Sequence, residues 1–144
     1  MRLVAAALPL LLGLPLAACS GDDGGDGTGG DAPTLARVQA EVFDVGCNVS
    51  SCHGATGKAG GLVLEAGASH AQLVGVTADN PKAASEGLVR VAPGDPDASF
   101  LVRKCTSGLA ADYGEVMPSG NPDGLEPARL QLVRDWIEAG APSE

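Results

Sequence analysis

The sequence predicts a small, mostly α-helical domain with long loops rich in Gly and Pro, covering residues 33–144. Two segments, 33–45 and 125–139, repeat apolar residues at spacings of three and four, the pattern of a helix with one buried face. Between them, residues 106–124 hold four glycines and two prolines, a composition typical of loop. A stretch of this length makes one domain.

The start of the chain, residues 1–18, predicts a signal peptide. Arg2 precedes an apolar run over residues 3–16, which is too short to be a membrane-spanning helix. The run leads into a Leu-Ala-Ala-Cys motif that ends at Cys19 and resembles the lipobox of bacterial lipoproteins. The resemblance implies lipid on the Cys19 sulfur, with acyl chains as the membrane anchor and Ser20 favouring the outer membrane. An ordinary signal peptide with an incidental cysteine is the alternative.

Residues 19–32 predict a lipidated cysteine followed by a flexible linker. From Ser20 to Asp31 the segment contains only Gly, Asp, Ser and Thr, so it cannot bury enough surface to offset its ordering entropy. The formal net charge of the chain is -9, and much of the acidic excess lies in this linker. An acidic balance argues against nucleic acid as a partner.

The most informative stretch begins at Cys47 and reads Cys-Asn-Val-Ser-Ser-Cys-His-Gly. A cysteine directly before a histidine, with a second cysteine upstream, is the arrangement that attaches c-type haem. The thiols of Cys47 and Cys52 would add to the vinyl groups of the ring, and His53 would ligate the iron. The CxxxxCH spacing is longer than the usual CxxCH, and a disulfide is the alternative use of two cysteines in an exported protein.

The remaining cysteines allow three arrangements. With Cys19 assigned to lipid, three are left, an odd number for an oxidising compartment. In the first arrangement Cys47 and Cys52 both hold haem and Cys105 is free. In the second, Cys47 and Cys105 form a disulfide and Cys52 holds haem alone. In the third there is no haem.

The first and last helices are predicted at residues 33–45 and 125–139. Thr34 is the expected N-cap of the first, which ends at Gly46 and delivers the chain into the Cys47 motif. The closing helix is expected to pack against the first and to end at Gly140. The apolar residues expected to be buried are Leu35, Val38, Val42, Val45, Leu125, Leu132, Val133, Trp136 and Ile137.

Between these helices, residues 54–61 are predicted as a loop and residues 62–64 as a short extended run. A short helix is expected to run from Ser69, as its N-cap, to Val74. Residues 80–85, which open with Asn-Pro, are predicted as turn and loop.

The next part of the chain is predicted to be extended over residues 88–97 and then helical over residues 97–104. Asp95 or Asp97 is the expected cap of that helix. The two basic residues at its end suit the helix dipole.

Met117 lies in the loop 106–124, directly before Pro118, and is the only methionine besides the initiator. A thioether opposite a histidine gives the His/Met ligation that raises the potential of haem. The alternative is that Met117 fills a gap in the core. Considered together with the Cys52-His53 pair, it is predicted to be the second iron ligand.

The order of features carries a family resemblance. It comprises a helix, CxxxxCHG, Gly-Leu-x-Leu, Arg-Val-x-Pro-Gly-Asp-Pro-Asp-x-Ser before a helix, Met-Pro in a Gly/Pro loop, and Trp-Ile-x-x-Gly-Ala. This order resembles the cytochrome c-like domains of exported lipoproteins from myxobacteria and planctomycetes and, more distantly, class I cytochrome c. The resemblance implies thioether bonds from Cys52 and, in the first arrangement, Cys47, with His53 as proximal and Met117 as distal ligand. Cys105 is an addition to that pattern.

These observations predict an electron carrier rather than an enzyme, with covalently bound haem c, anchored by lipid on the periplasmic side of the cell envelope. Redox proteins are the expected partners, and a monomer is expected. The first alternative is a haem-free lipoprotein module with a Cys47–Cys105 disulfide and a structural or protein-binding role. The second is a zinc or redox-sensing site of Cys47, Cys52 and His53, with His70 or Cys105 as fourth ligand.

Overall fold

A computed structural model describes residues 33–144, so the predicted signal peptide, Cys19 and the linker lie outside the described residues. Within this range five short helices are joined by long loops, with isolated β-bridges and no sheet. The prediction of a mostly α-helical domain is therefore confirmed. No helix in the described range is long and apolar enough to cross a membrane.

The first helix, α1, begins as an α-helical turn at Leu35–Val38 and continues as a π-helical segment, Gln39–Cys47. The Thr34 hydroxyl oxygen accepts a 3.2 Å hydrogen bond from the Arg37 N–H, which confirms the predicted N-cap. Helical backbone angles stop at Gly46, as expected.

The predicted buried face of α1 is wrong at Val45, whose surface is 54% exposed. A π-helix places more residues in each turn than an α-helix does. After Gln39, residues three and four apart therefore no longer lie on one face of the helix, and Val45 turns towards solvent. The earlier members Val38 and Val42 are buried as predicted.

Three short helices follow: α2 (Ser69–Leu73), α3 (Pro81–Ser85) and α4 (Phe100–Lys104). Single 3-10 turns occupy Ala59–Gly61 and Ala111–Tyr113. The segment predicted as extended before α4 forms isolated bridges, of which Val74 with Val91 and Val89 with Ser99 are parallel.

The prediction of turn and loop at residues 80–85 is wrong. The Asn80 side chain accepts a 2.9 Å hydrogen bond from the Ala83 N–H, and Pro81 occupies the first turn of α3. Asn is a good N-cap, and Pro at the first helical position loses no hydrogen bond. The Asn-Pro pair therefore starts a helix at this point.

Two predicted caps have other roles. Ser69 lies within α2, and its buried hydroxyl donates to Gln39 Oε1 at 2.8 Å. Helix α4 starts later than predicted, after Asp97, and neither aspartate caps it. Instead Asp95 closes the preceding turn by accepting from the Ala98 N–H at 2.9 Å.

The closing helix, α5, spans Pro127–Glu138 and packs against α1. Its N-cap is Glu126, whose carboxylate accepts from the first backbone N–H groups. The predicted helix is confirmed apart from its first two residues and its last, Ala139, and all five of its predicted apolar residues are buried. The core shared by these elements contains Val38, Val42, Phe43, Leu64, Leu73, Val91, Val102, Cys105, Leu125, Leu132, Val133, Trp136, Ile137 and Ala141.

The segment after α5 is tied back onto the domain by two side chains. The Trp136 indole N–H donates to the Pro142 carbonyl at 2.9 Å. A ring nitrogen of His70 lies 2.9 Å from the Ala141 carbonyl oxygen, so the imidazole donates there. These bonds attach the end of the chain to α5 and α2.

Candidate cofactor site

An apolar cavity of about 690 Å³ lies among the end of α1, the loop after it, α4 and the loop 106–124 that contains Met117, called the Met117 loop below. Its volume is within the range of cofactor and small-molecule sites, about 300–1,000 Å³. The cavity wall includes every haem-binding and disulfide candidate predicted within the described residues: Cys47, Cys52, His53, Cys105 and Met117.

The six-residue motif from Cys47 to Cys52 folds into a tight turn. The Val49 carbonyl accepts hydrogen bonds from the Cys52 N–H at 2.9 Å and the Gly54 N–H at 3.1 Å. The Cys47 carbonyl accepts from the His53 N–H at 3.0 Å. The turn takes up the two extra residues of CxxxxCH, so both thiols still face one cavity.

The glycine after the histidine has a backbone reason. Gly54 is buried, and a Cβ atom at this position would lie 2.6 Å from the Asn48 carbonyl oxygen. Any other residue would force the turn apart, so the Gly of the CHG sequence is part of the motif's fold.

The His53 side chain lines the cavity and carries an unsatisfied atom. Its Nδ1 is buried and, among residues 33–144, has no hydrogen-bond partner. Leaving a buried polar atom unpaired costs about 1–3 kcal/mol. Since Nδ1 is buried even with the cavity empty, a group in the cavity would have to bind the other ring nitrogen, Nε2.

Burial raises the pKa of two of the cysteines, Cys47 and Cys105. Cys105 is 8% exposed, and burial raises the pKa of its thiol to about 12, with the Cys47 thiol adding to the rise and Lys104 opposing it. Burial also raises the pKa of Cys47, opposed by Arg129, with Cys52 adding to the rise. Cys47 and Cys105 are therefore neutral thiols at pH 7. The three cysteines within residues 33–144 are free, and the thioether and disulfide uses of Cys47 both remain predictions.

Met117 reaches the cavity from a separate part of the chain. Its side chain is half-buried and packs against the edge of the core. The peptide bond to Pro118 is cis. The structure thus brings the only methionine of the described residues to the same cavity as His53.

Sequence reasoning missed Arg90, which is 8% exposed and lines the cavity. Its guanidinium donates to the carbonyls of Gln72 at 2.8 Å and Gly60 at 3.2 Å, and pairs with Asp79 at 3.0 Å. These bonds hold the 3-10 turn that forms one wall. The sequence signals are a single arginine within an apolar run and its place at the head of the Arg-Val-x-Pro-Gly-Asp feature, and neither indicates bonds to backbone carbonyls.

Lys104 and an aromatic pair were also missed. The rings of Phe100 and Tyr113 lie 5.8 Å apart at an angle of 57° and both line the cavity, as does Lys104. Aromatic residues are 3% of the chain, so their spacing gives no pattern from which a site could be predicted.

His70, the alternative fourth ligand, lies outside the cavity and binds the Ala141 carbonyl. Among residues 33–144 no group of three or more His, Cys, Asp or Glu side chains is arranged to hold a metal ion. No protein-family model, curated protein or solved structure matches the chain. The functional assignment therefore depends on the chain's own residues.

Proposed function

We propose that the chain is a c-type cytochrome domain that transfers single electrons. One observation carries the proposal: a single apolar cavity collects a thiol, an imidazole and a thioether that the sequence predicts as attachment and ligand groups, in Cys52, His53 and Met117.

The residues present fit haem. A cysteine thiol forms the thioether bond of c-type haem, and imidazole and methionine sulfur are its usual ligands. The haem iron, when bound, would supply the one-electron redox chemistry. The wall around these groups is mostly apolar, and buried surroundings of this kind control solvent access and redox potential.

The chain's own contributions are attachment, ligation and burial. Cys52 would hold the ring covalently, with Cys47 adding a second bond in the first arrangement. The backbone N–H of His53 donates to the Cys47 carbonyl, and this bond holds the backbone that carries the imidazole. Met117 would bring a neutral sulfur ligand, which raises the reduction potential.

The cellular setting is part of the same proposal. A signal peptide over residues 1–18 and lipid on Cys19 would place the domain on the periplasmic side of the cell envelope, with the outer membrane favoured. The linker would let the domain reach redox partner proteins at some distance from the membrane. The protein would act as a monomeric carrier and not as an enzyme.

A haem-free module with a Cys47–Cys105 disulfide is the second candidate. The observation that favours it is that both thiols line the same cavity, where Cys47 lies close enough to Cys105 to add to the rise of its pKa. Such a module would be colourless and would act in envelope structure or protein binding.

The test is a pyridine haemochrome spectrum combined with intact mass, on the full chain expressed with the periplasmic haem-attachment machinery. A haem-sized mass increment supports the proposal, and the position of the α band separates one thioether from two. Cys47→Ser then assigns the second bond, with Cys105→Ser as matched control. Absence of haem absorbance, with a mass short by two hydrogens, would replace the proposal with the disulfide module.

A further inference from the structure

The end of α4 and the residue after it bind the loop 106–124 at Met117 and at Leu125, directly after the loop. The Lys104 carbonyl accepts a 2.7 Å hydrogen bond from the Met117 N–H, and the Cys105 carbonyl accepts a 2.9 Å bond from the Leu125 N–H. The last carbonyls of a helix have no partner within the helix. The loop supplies these partners, so its path over residues 117–125 is fixed at both ends by Lys104, the last residue of α4, and by Cys105, which follows it.

The Lys104 side chain makes a second set of bonds to the same loop. Its ammonium donates to the Tyr113 carbonyl at 3.2 Å and to the Glu115 carbonyl. These carbonyls lie on the N-terminal side of Met117. One residue therefore holds the approach to Met117 through its side chain and the Met117 amide through its own carbonyl.

The Lys104 side chain is half-buried, so its ammonium is partly removed from water. Burial lowers the pKa of Lys104, while Cys105 and Glu115 oppose that shift. Hydrogen bonds from an ionised donor are roughly twice as strong as neutral ones, and they gain where water is partly excluded. Among residues 33–144 the Lys104 ammonium forms no ion pair within 4.0 Å, and its contacts are to loop carbonyls.

We propose that Lys104 is a positioning residue for Met117. Its bonds fix residues 113–117 so that the Met117 thioether stays at the cavity wall. Loss of the Lys104 ammonium would release the Met117 sulfur from the iron, while the covalent attachment through Cys52 would remain. The inference depends on the proposed function and adds a residue that neither the CxxxxCH motif nor the Met-Pro pair indicates.

The experiment uses the full chain with attached haem and measures binding of free imidazole, which competes with Met117 for the iron. In Lys104→Met the ammonium is absent and the unbranched stem is kept, so we expect imidazole to bind about tenfold more tightly, as expected for the loss of one to two charged hydrogen bonds. The iron–methionine charge-transfer band should weaken in parallel. Lys104→Arg restores donors and should return both readouts towards the parent protein. The matched control is Lys58→Met, which removes the same charge from an exposed position.

The outcomes separate the two proposals. Attached haem with unchanged imidazole affinity and an unchanged methionine band in Lys104→Met would overturn the role of Lys104 and leave the cytochrome assignment intact. Absence of haem from the parent protein would overturn both. If Lys104→Met does not accumulate as folded protein, Lys104→Gln replaces it: an affinity between those of the parent and tenfold tighter supports the role, and parental affinity overturns it.

Discussion

The backbone N–H of Leu64 donates a 2.7 Å hydrogen bond to the carbonyl oxygen of His53. Leu64 is itself buried in the core, and the His53 N–H is bound by the Cys47 carbonyl. The histidine backbone is therefore held at both of its polar groups by partners that do not involve the imidazole. The ring can be changed without releasing the turn that carries it.

Replacing His53 by Ala is expected to abolish stable haem incorporation and to leave the fold in place, because the backbone bonds of residue 53 persist. Haem content by pyridine haemochrome and far-UV circular dichroism measure the two effects. His70→Ala is the matched control: it should keep haem and lose about 1 kcal/mol of unfolding free energy with its bond to Ala141. Normal haem content in His53→Ala would refute its role as iron ligand.

Replacing Met117 by Leu is expected to keep the haem attached, to remove the low-spin His/Met spectrum and to lower the reduction potential, because only the sulfur is lost. Met117→Ala should do the same and also lower the unfolding free energy by about 2 kcal/mol, since the side chain packs against the core. Spectroelectrochemistry and urea unfolding provide the measurements. An unchanged spectrum in Met117→Leu would leave Met117 as a packing residue.

The Cys105 thiol predicts a loss of stability at high pH in the reduced, haem-free protein. Its folded pKa, raised to about 12 by burial, lies above the unfolded value, so its contribution is complete below about pH 9 and is lost as pH rises towards 12. The slope is about 1.4 kcal/mol per pH unit over this window. Cys105→Ala should lack this part of the slope in urea unfolding at pH 8 to about 11. Parallel pH profiles for the two proteins would show that the buried thiol does not govern alkaline stability.

The buried amide of Gln39 is expected to be worth about 2–3 kcal/mol of unfolding free energy. It donates to the Leu64 carbonyl at 2.8 Å and to Asp44 at 2.6 Å, and accepts from the Ser69 hydroxyl at 2.8 Å. Gln39→Ala leaves the Leu64 carbonyl and the Ser69 hydroxyl without this partner in the interior, whereas the exposed Asp44 keeps its bond to Asn48. Gln131→Ala, which removes an exposed amide, should cost less than about 0.5 kcal/mol. Equal urea midpoints for Gln39→Ala and Gln131→Ala would show that the buried network contributes no more to the unfolding free energy than an exposed amide does.

The helices at the two ends of the domain could be predicted because their sequence signals are local. Thr34 caps α1 through its own side chain, and the buried positions of α5 follow a period of 3.6. The start of α3 could not be predicted in this way, because Asn80 followed by proline suits a turn and a helix start equally. The π-helical segment that exposes Val45 has no sequence signature in this chain.

Some residues of the candidate site could likewise be predicted from the sequence, and others could not. The cysteines and His53 were predicted because a cysteine before a histidine, with another cysteine upstream, is the arrangement that attaches c-type haem. The structure brings these residues to one cavity. Arg90 and Lys104 were missed because they bind backbone carbonyls. Every residue offers a carbonyl, so such a partner leaves no pattern in the sequence.

The attachment of the chain's end to Trp136 and His70 has a practical consequence. Trp136 is the only tryptophan of the protein, and its indole is bound to the Pro142 carbonyl. Its fluorescence is therefore an internal reporter of whether the segment after α5 is docked. A chain truncated after Gly140 would lack the acceptors of both side chains, whereas an affinity tag placed beyond Glu144 would leave them in place.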